Sequence, residues 1–530
     1  MTSPDPPLAT GADPPAQRDR REVASPDGRA QGEDRVGVAL LVAAIGLLLL
    51  VGVSGPSVAS PPLGDRGWAP PALPWRLAPW VVVAVQTLAY ALGAASLLRH
   101  LRAPCPLRLR WWQLAGLAVL VLLTAPFGTA DHTNYAAYGR MLVEGVDPWV
   151  TAPQDLGGDP VAALVQPPWR DEPSVYGPVG TWLMGLAGVL GGDSMRQVVW
   201  VWQVLVVGAW LGVRTLLVRL AGAGSAPLVD RWWTTNVLVL GAGVLGAHLD
   251  TLALAGLVAA LALGLAGRPL LAGLVTGVAA STKITAGVVG LALVVGWLAA
   301  GATGGPGGSG TSWRDRLRPA VRPSAWLVLG ALVVLVPTHL LAGPAVLSQV
   351  AGSGGGVSYA TPWRAVYTVL DLGLPEPVAR SLAVWVAAAW CVVLALLLWR
   401  VTAALEAWPA VRALLVLTAA YALGSAYVLP WYELMQWGAV ALALGLLAAA
   451  PWAGATTRAS VALRALVAVL VLRGVVLAIG YVPGRVLLPD DVETVTLGFR
   501  FVASPLATVA AWTAVVALWR RSARSGVTVY

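Results

Sequence analysis

The chain has 530 residues, of which 57% are hydrophobic and only 12% charged, with a mean hydropathy of +0.73. Soluble domains carry about 25% charged residues, so a water-soluble enzyme and a disordered scaffold are both excluded. The formal net charge of +9 comes from 34 arginines and a single lysine, Lys283, with no basic stripe on a soluble domain, so nucleic acid is not an expected partner. The two cysteines, Cys105 and Cys391, make neither a disulfide framework nor a metal site.

Residues 1–35 are rich in Pro, Asp and Arg and lack apolar periodicity, which predicts a disordered cytoplasmic tail. The first apolar run, 36–54, follows five arginines and is longer than a signal-peptide core, so an uncleaved span is expected, with cleavage near Ala59 as the alternative. Further spans are expected at 77–98, 111–127, 197–213, 233–247, 250–267, 269–281, 284–300, 325–342, 379–399, 410–429, 433–450, 465–482 and 503–519. The predicted fold class is therefore an all-α polytopic integral membrane protein, its membrane domain running over 36–519, with about fourteen transmembrane helices. The Gly-rich segment 178–192 is too short for a comfortable crossing and reads as re-entrant or interfacial.

Charge sets the orientation. With the N-terminus inside, 24 arginines fall on the cytoplasmic side and nine outside, as the positive-inside rule requires, and the C-terminal tail 520–530 is also cytoplasmic. Trp111–Trp112 and Trp232–Trp233 lie beside arginine clusters, where an aromatic belt is expected. The cytoplasmic stretch 301–324 reads as a Gly-rich linker whose arginines, Arg314 to Arg322, meet lipid headgroups. Three outer loops stand out, 128–177, 343–378 and 483–502, and long loops are usually functional. Chemistry is expected on the extracytoplasmic face.

The first outer loop holds Asp131-His132-Thr133-Asn134-Tyr135, then Tyr138-Gly139-Arg140, Asp147-Pro148-Trp149 and Tyr176-Gly177-Pro178. Tyr135, Tyr138, Met141 and Leu142 recur at helical spacing, which predicts an amphipathic helix along the membrane surface. Asp131 at its start is either an N-cap or a general base whose partial desolvation raises its pKa. Gly246-Ala247-His248-Leu249-Asp250 places an acid and an imidazole at an outer helix break, where they could orient a sugar hydroxyl, hold a metal or bond each other. An aspartate facing a bundle interior is costly without a role. Lys283 follows a segment of only 13 residues, about 20 Å of helix, and is a candidate grip on a lipid phosphate, against simple snorkelling. Arg364, next to Trp363, is a second external cation. His132, His339 and His100 are scattered and form no ligand set, and no nucleotide-binding glycine loop or zinc spacing occurs, so no metal or cofactor is expected. Gly273-x-x-x-Gly277 reads as close helix packing.

The run from Asp131 through Tyr135, Tyr138-Gly139-Arg140, Gly145-Val146-Asp147-Pro148-Trp149 and Tyr176-Gly177-Pro178 resembles the actinobacterial polyprenol-phosphate-mannose-dependent α-1,6-mannosyltransferases of the GT-C superfamily. Gly246-Ala247-His248-Leu249-Asp250 and Lys283 look like later motifs of that group. The resemblance implies a GT-C-type bundle with a large catalytic first outer loop, and Asp131 as the base that activates the acceptor. It implies a polyprenyl-phosphate-mannose donor and a lipid-linked glycan acceptor such as lipomannan in the cell envelope. Lys283 and Arg364 would then bind the donor phosphate, and His248, Asp250, Tyr135, Asp147, Trp149, Tyr176 and Trp363 the substrates. One carboxylate suffices for inverting transfer from an activated donor, where hydrolases need two. The rivals are another GT-C enzyme with a different sugar or a protein acceptor, and a multi-span transporter or lipid flippase. Transport is disfavoured because acidic residues gather in outer loops and no inverted repeat is evident.

Overall fold

The computed structural model describes residues 35–102, 107–303, 313–353, 355–450, 457–484 and 487–524. The tail expected before Arg35, Cys105, most of the Gly-rich linker, Arg485 and the last six residues lie outside the described residues. In chain order the helices are α1 (Arg35–Val53), α2 (Pro79–Arg102), α3 (Trp111–Leu122), α4 (Asp131–Val143), α5 (Pro178–Gly191) and α6 (Met195–Ala221). They continue with α7 (Ala226–Val229), α8 (Val237–Val239), α9 (Asp250–Leu265), α10 (Pro269–Thr282), α11 (Val288–Thr303), α12 (Trp313–Ala342) and α13 (Ala345–Ser353). The last are α14 (Trp363–Asp371), α15 (Glu376–Val401), α16 (Pro409–Gly424), α17 (Leu434–Ala449), α18 (Arg458–Gly480) and α19 (Asp490–Arg524). No strand occurs among the described residues.

Eight of these helical segments are long and apolar enough to cross a membrane, or nine when one bent pair is counted as a span. Five further apolar helices run 10–17 residues. The segments expected as separate spans at 233–247 and 250–267 are that bent pair, Val237–Val244 and Leu249–Leu265, set at 117° across a short break. The loop expected at 483–502 is helical from Asp490 onward, continuous with the last span. The chain is a multi-pass membrane protein.

Small residues set the packing that positions the site. A Cβ on Gly273 would collide with the Leu327 carbonyl and one on Gly277 would lie 2.8 Å from that of Ala331, so the backbones of α10 and α12 touch. In the same way Gly139 of α4 and Gly188 of α5 meet backbone to backbone.

Two sequence expectations are corrected. The helix after Asp131 exists, but it is not a surface helix: Asp131 to Gly139 are all buried. The chain from 144 to 177 folds back over its other faces, with Tyr138 Oη donating to the Glu172 carbonyl (2.9 Å) and Arg140 Nε to Asp159 Oδ2 (2.8 Å). Trp232 and Trp233 are not in an aromatic belt either; both are fully buried, and Trp233 Nε1 donates to the Trp210 carbonyl (3.0 Å). A π-helical turn over Asp230–Thr234, anchored by Asp230 to Arg214, turns them inward. Trp111 and Trp112 are exposed, as a belt requires.

Candidate active site

The break in the bent pair creates the site's first corner. Ala247 sits at φ +54°, left-handed backbone that a residue with a Cβ rarely adopts, and its carbonyl accepts from Trp202 Nε1 (2.8 Å). This strained turn ends the first half-helix and delivers His248 and Asp250 to the mouth of α9. The His248 ring stacks on Trp431, centroids 3.8 Å apart and 13° from parallel. Its Nδ1 lies 3.4 Å from Tyr135 Oη and 3.6 Å from Asp131 Oδ2.

Asp131 is the first residue of α4, not its cap; Ala130 holds that position, and the Asp131 amide donates to Thr129 Oγ1 (3.1 Å). The carboxylate is thus free of a capping duty. Burial pushes its pKa up to about 6, against the downward pull of Thr129, Lys283 and Trp169 and with Asp250 adding to the rise.

Lys283 forms the second corner. It terminates α10 in extended backbone, with φ −148° and ψ 121°. Its side chain turns inward instead of snorkelling: Nζ donates to Asp250 Oδ1 (2.7 Å) and lies 3.8 Å from the centre of the Tyr432 ring. The other Asp250 oxygen has no partner, so the acid's evident work is to hold the ammonium in place.

Lys283 opens onto a cavity of about 710 Å³, which Asp131 and the Trp431 ring under His248 also line. Asp131, Lys283, Trp169, Tyr176, Tyr427 and Tyr432 form its polar and aromatic end. Ile284, Leu335, Val336, Leu347 and Val350 form an apolar side. Ile284, Val336 and Leu347 also present 64%, 49% and 60% of their surface outward, so the apolar side continues onto the face of the bundle. Among the described residues no group of three or more His, Cys, Asp or Glu could hold a metal ion.

Of the residues singled out in the sequence, Asp131, Lys283, Tyr176 and His339 line the cavity. His248, Asp250 and Tyr135 stand directly behind them. Trp149 and Asp147 do not reach it: Asp147 Oδ1 accepts from the Trp149 amide (2.9 Å), and Trp149 Nε1 donates to the Tyr176 carbonyl (2.8 Å), so the pair fixes the strand of loop that carries Tyr176. Trp363 and Arg364 belong to a separate aromatic cluster. Trp363 Nε1 donates to the Gly424 carbonyl (2.8 Å), and Arg364 lies over Tyr359 and Tyr367. Sequence reasoning passed over Tyr421, near the end of α16, and Tyr427, Trp431 and Tyr432, in the turn between α16 and α17, all of which line the cavity. Their signal was an aromatic-rich break around Pro430, hidden between two apolar runs.

Residues 37–301, half of the chain, match the family model described as alpha-(1->6)-mannopyranosyltransferase, N-terminal domain. Alpha-(1->6)-mannopyranosyltransferase A of Corynebacterium glutamicum is 25% identical over 177 residues, which are 33% of this chain and 36% of that protein. The chain therefore spans about a third of the length of this curated relative. The crystal structure of ArnT from Cupriavidus metallidurans, bound to undecaprenyl phosphate, aligns over 77% of each chain at a TM-score of 0.40 and 16% identity. Asp131, His248, Asp250 and Lys283 all fall within the family-matched residues.

Proposed function

From the premise that the chain belongs to the alpha-(1->6)-mannopyranosyltransferase family, we propose that it is a membrane glycosyltransferase that moves mannose from a polyprenyl-phosphate carrier to a hydroxyl of a lipid-anchored glycan. The observation that carries this reading is the pairing, in one cavity, of a buried carboxylate and a fixed ammonium with an apolar wall that runs onto the face of the bundle. A soluble nucleotide-sugar has no use for such a wall; a sugar tethered to lipid does.

The proposed step is a single displacement. Asp131 takes the proton of the acceptor hydroxyl, whose oxygen bonds the anomeric carbon from the face opposite the phosphate. The bond from that carbon to the phosphate oxygen breaks, and its electron pair leaves with the polyprenyl phosphate, so configuration inverts. A base with a pKa near 6 is ionised at neutral pH yet basic enough to accept that proton. The leaving phosphate gains negative charge, and Lys283, already held by Asp250 and Tyr432, stabilises it without reorganising. Trp169 and Tyr176 offer faces for the sugar. The arginine distribution supports cytoplasmic termini and a cavity that opens on the extracytoplasmic side.

Membranes containing the full chain, given radiolabelled polyprenyl-phosphate-mannose and a short mannan acceptor, test the reading. Transfer by the native protein and its loss in D131N at equal protein level are expected. Equal transfer by both would remove Asp131 as the base, and absence of transfer from any lipid-linked sugar would remove the function.

A further inference from the structure

A second cavity, of about 550 Å³, lies at the opposite end of α10 from Lys283, where α9 turns into α10 beside α11 and α12. The turn is made by Gly267 at φ +71°, with the Gly267 amide bonded to the Gly264 carbonyl and the Arg268 amide to that of Leu263. This paired closure ends α9 and projects Arg268 at the groove. Arg322 of α12 lines it from the other side, with Trp297, Trp326, Leu271 and Pro323 completing the walls. No acidic side chain lines the groove, and neither arginine forms an ion pair among the described residues. Both are exposed.

Two guanidiniums facing one cavity, neither ion-paired among the described residues, are a strong anion trap, because each presents a planar fork matched to phosphate oxygens. The setting decides which anion. Arg322 stands at the start of the apolar span Pro319–Ala342, and Arg268 in the turn between two apolar helices, so both lie at headgroup depth. The tryptophans are of the type that gathers at that depth. From the groove an exposed apolar stripe, Trp326, Leu329 and Val333, with 42%, 45% and 54% of their surface outward, runs along α12 at helical spacing. The cavity falls within the roughly 300–1,000 Å³ of small-molecule sites.

We propose that this groove binds one anionic phospholipid, with its phosphate held by Arg268 and Arg322 and its acyl chains laid along the stripe of α12. The site is independent of the transferase reading and takes no part in the cavity that contains Asp131. A zwitterionic lipid meets the same arginines with its own cation nearby and is bound less well, whereas a free phosphate gains nothing from the stripe.

The test uses the full chain, purified and delipidated in detergent, with native mass spectrometry after adding back dioleoyl phosphatidylglycerol or dioleoyl phosphatidylcholine. The native protein is expected to retain one phosphatidylglycerol about tenfold more tightly than R268Q/R322Q, with no such difference for phosphatidylcholine. R268K/R322K, which keeps the charge but loses the fork, should fall between them. Because both side chains are exposed, these variants should elute and melt as the native protein does. Equal retention of phosphatidylglycerol by native protein and R268Q/R322Q overturns the proposal. So does removal of the bound lipid by millimolar inorganic phosphate, which would make the free anion the ligand, or a polyprenyl monophosphate retained in preference to phosphatidylglycerol by the native protein and lost in R268Q/R322Q, which would make the groove a second carrier site.

Discussion

Asp131 and Asp230 are both buried acids in the same bundle, but they are buried differently. Asp230 is saturated: Arg214 Nε (2.6 Å) and Thr234 Oγ1 (3.2 Å) donate to one oxygen, Arg214 Nη2 (3.1 Å) and the Leu109 amide (3.3 Å) to the other. Asp131 instead faces an open cavity, with its nearest imidazole 3.6 Å away, longer than a hydrogen bond. A buried carboxylate with every lone pair occupied is a rivet; one that lines a cavity and has no arginine clamped to it is within reach of a ligand's proton. Lys283 repeats the contrast from the cationic side, fixed by one acid yet still lining the space.

The sharpest way to break this comparison is to neutralise each acid in turn. D131N should lower transfer about 10³-fold with little change in KM, within the range ascribed to general-base catalysis, as measured by initial rates at equal protein level. K283M should cost about 10²-fold, because it removes transition-state charge stabilisation and leaves Asp250 unpaired; assays with a donor whose leaving group has a lower pKa should recover part of the loss. D230N should behave in the opposite way, leaving the rate per folded molecule unchanged but destabilising the fold by about 3 kcal/mol, since it strands the Arg214 guanidinium, seen as a lower melting temperature.

Acidity sharpens the comparison further. With Asp131 titrating at about 6, kcat/KM should fall tenfold per pH unit below that value. The stability effect has the opposite sign from that of a salt-bridged acid. The folded carboxyl holds its proton more tightly than the unfolded one at 3.8, so its charge costs stability above pH 6 and the cost disappears as pH falls toward 3.8. D131N should therefore melt higher than the native protein at pH 7.5 and lose that advantage at pH 4. The smallest effect belongs to R364Q, which should change transfer by less than about twofold, because Arg364 stacks on Tyr359 and Tyr367 away from the cavity.

Much of the site was legible because charge is conspicuous in so apolar a chain. Asp131, Asp250 and Lys283 stood out as ionisable groups at helix breaks, and the structure puts them around or behind one cavity. The small-residue pattern at Gly273 and Gly277 also carried its meaning, since a missing side chain has one main use between helices. What the sequence concealed was closure over distance. The period of Tyr135, Tyr138 and Met141 reveals one apolar face of α4, but not that residues 144–177 come back to cover the other. Hydropathy likewise reports the length of 233–267 and not its 117° bend, so one broken pair read as two spans. Trp363 and Arg364 stood out by their chemistry but lie away from the cavity, whereas Tyr432 lines it from within what read as ordinary membrane sequence.

The contact of α10 with α12 has a mechanical result. Where Gly273, Gly277 and Gly330 bring two main chains together, there is no layer of side chains to act as a lubricant, and the two helices must travel as one blade. One edge of that blade carries Leu335 and Val336 and the other ends at Lys283, so these two walls of the cavity are held to one another. Leu347 and Val350, on the short helix α13 after the blade, line the cavity from outside that rigid pair.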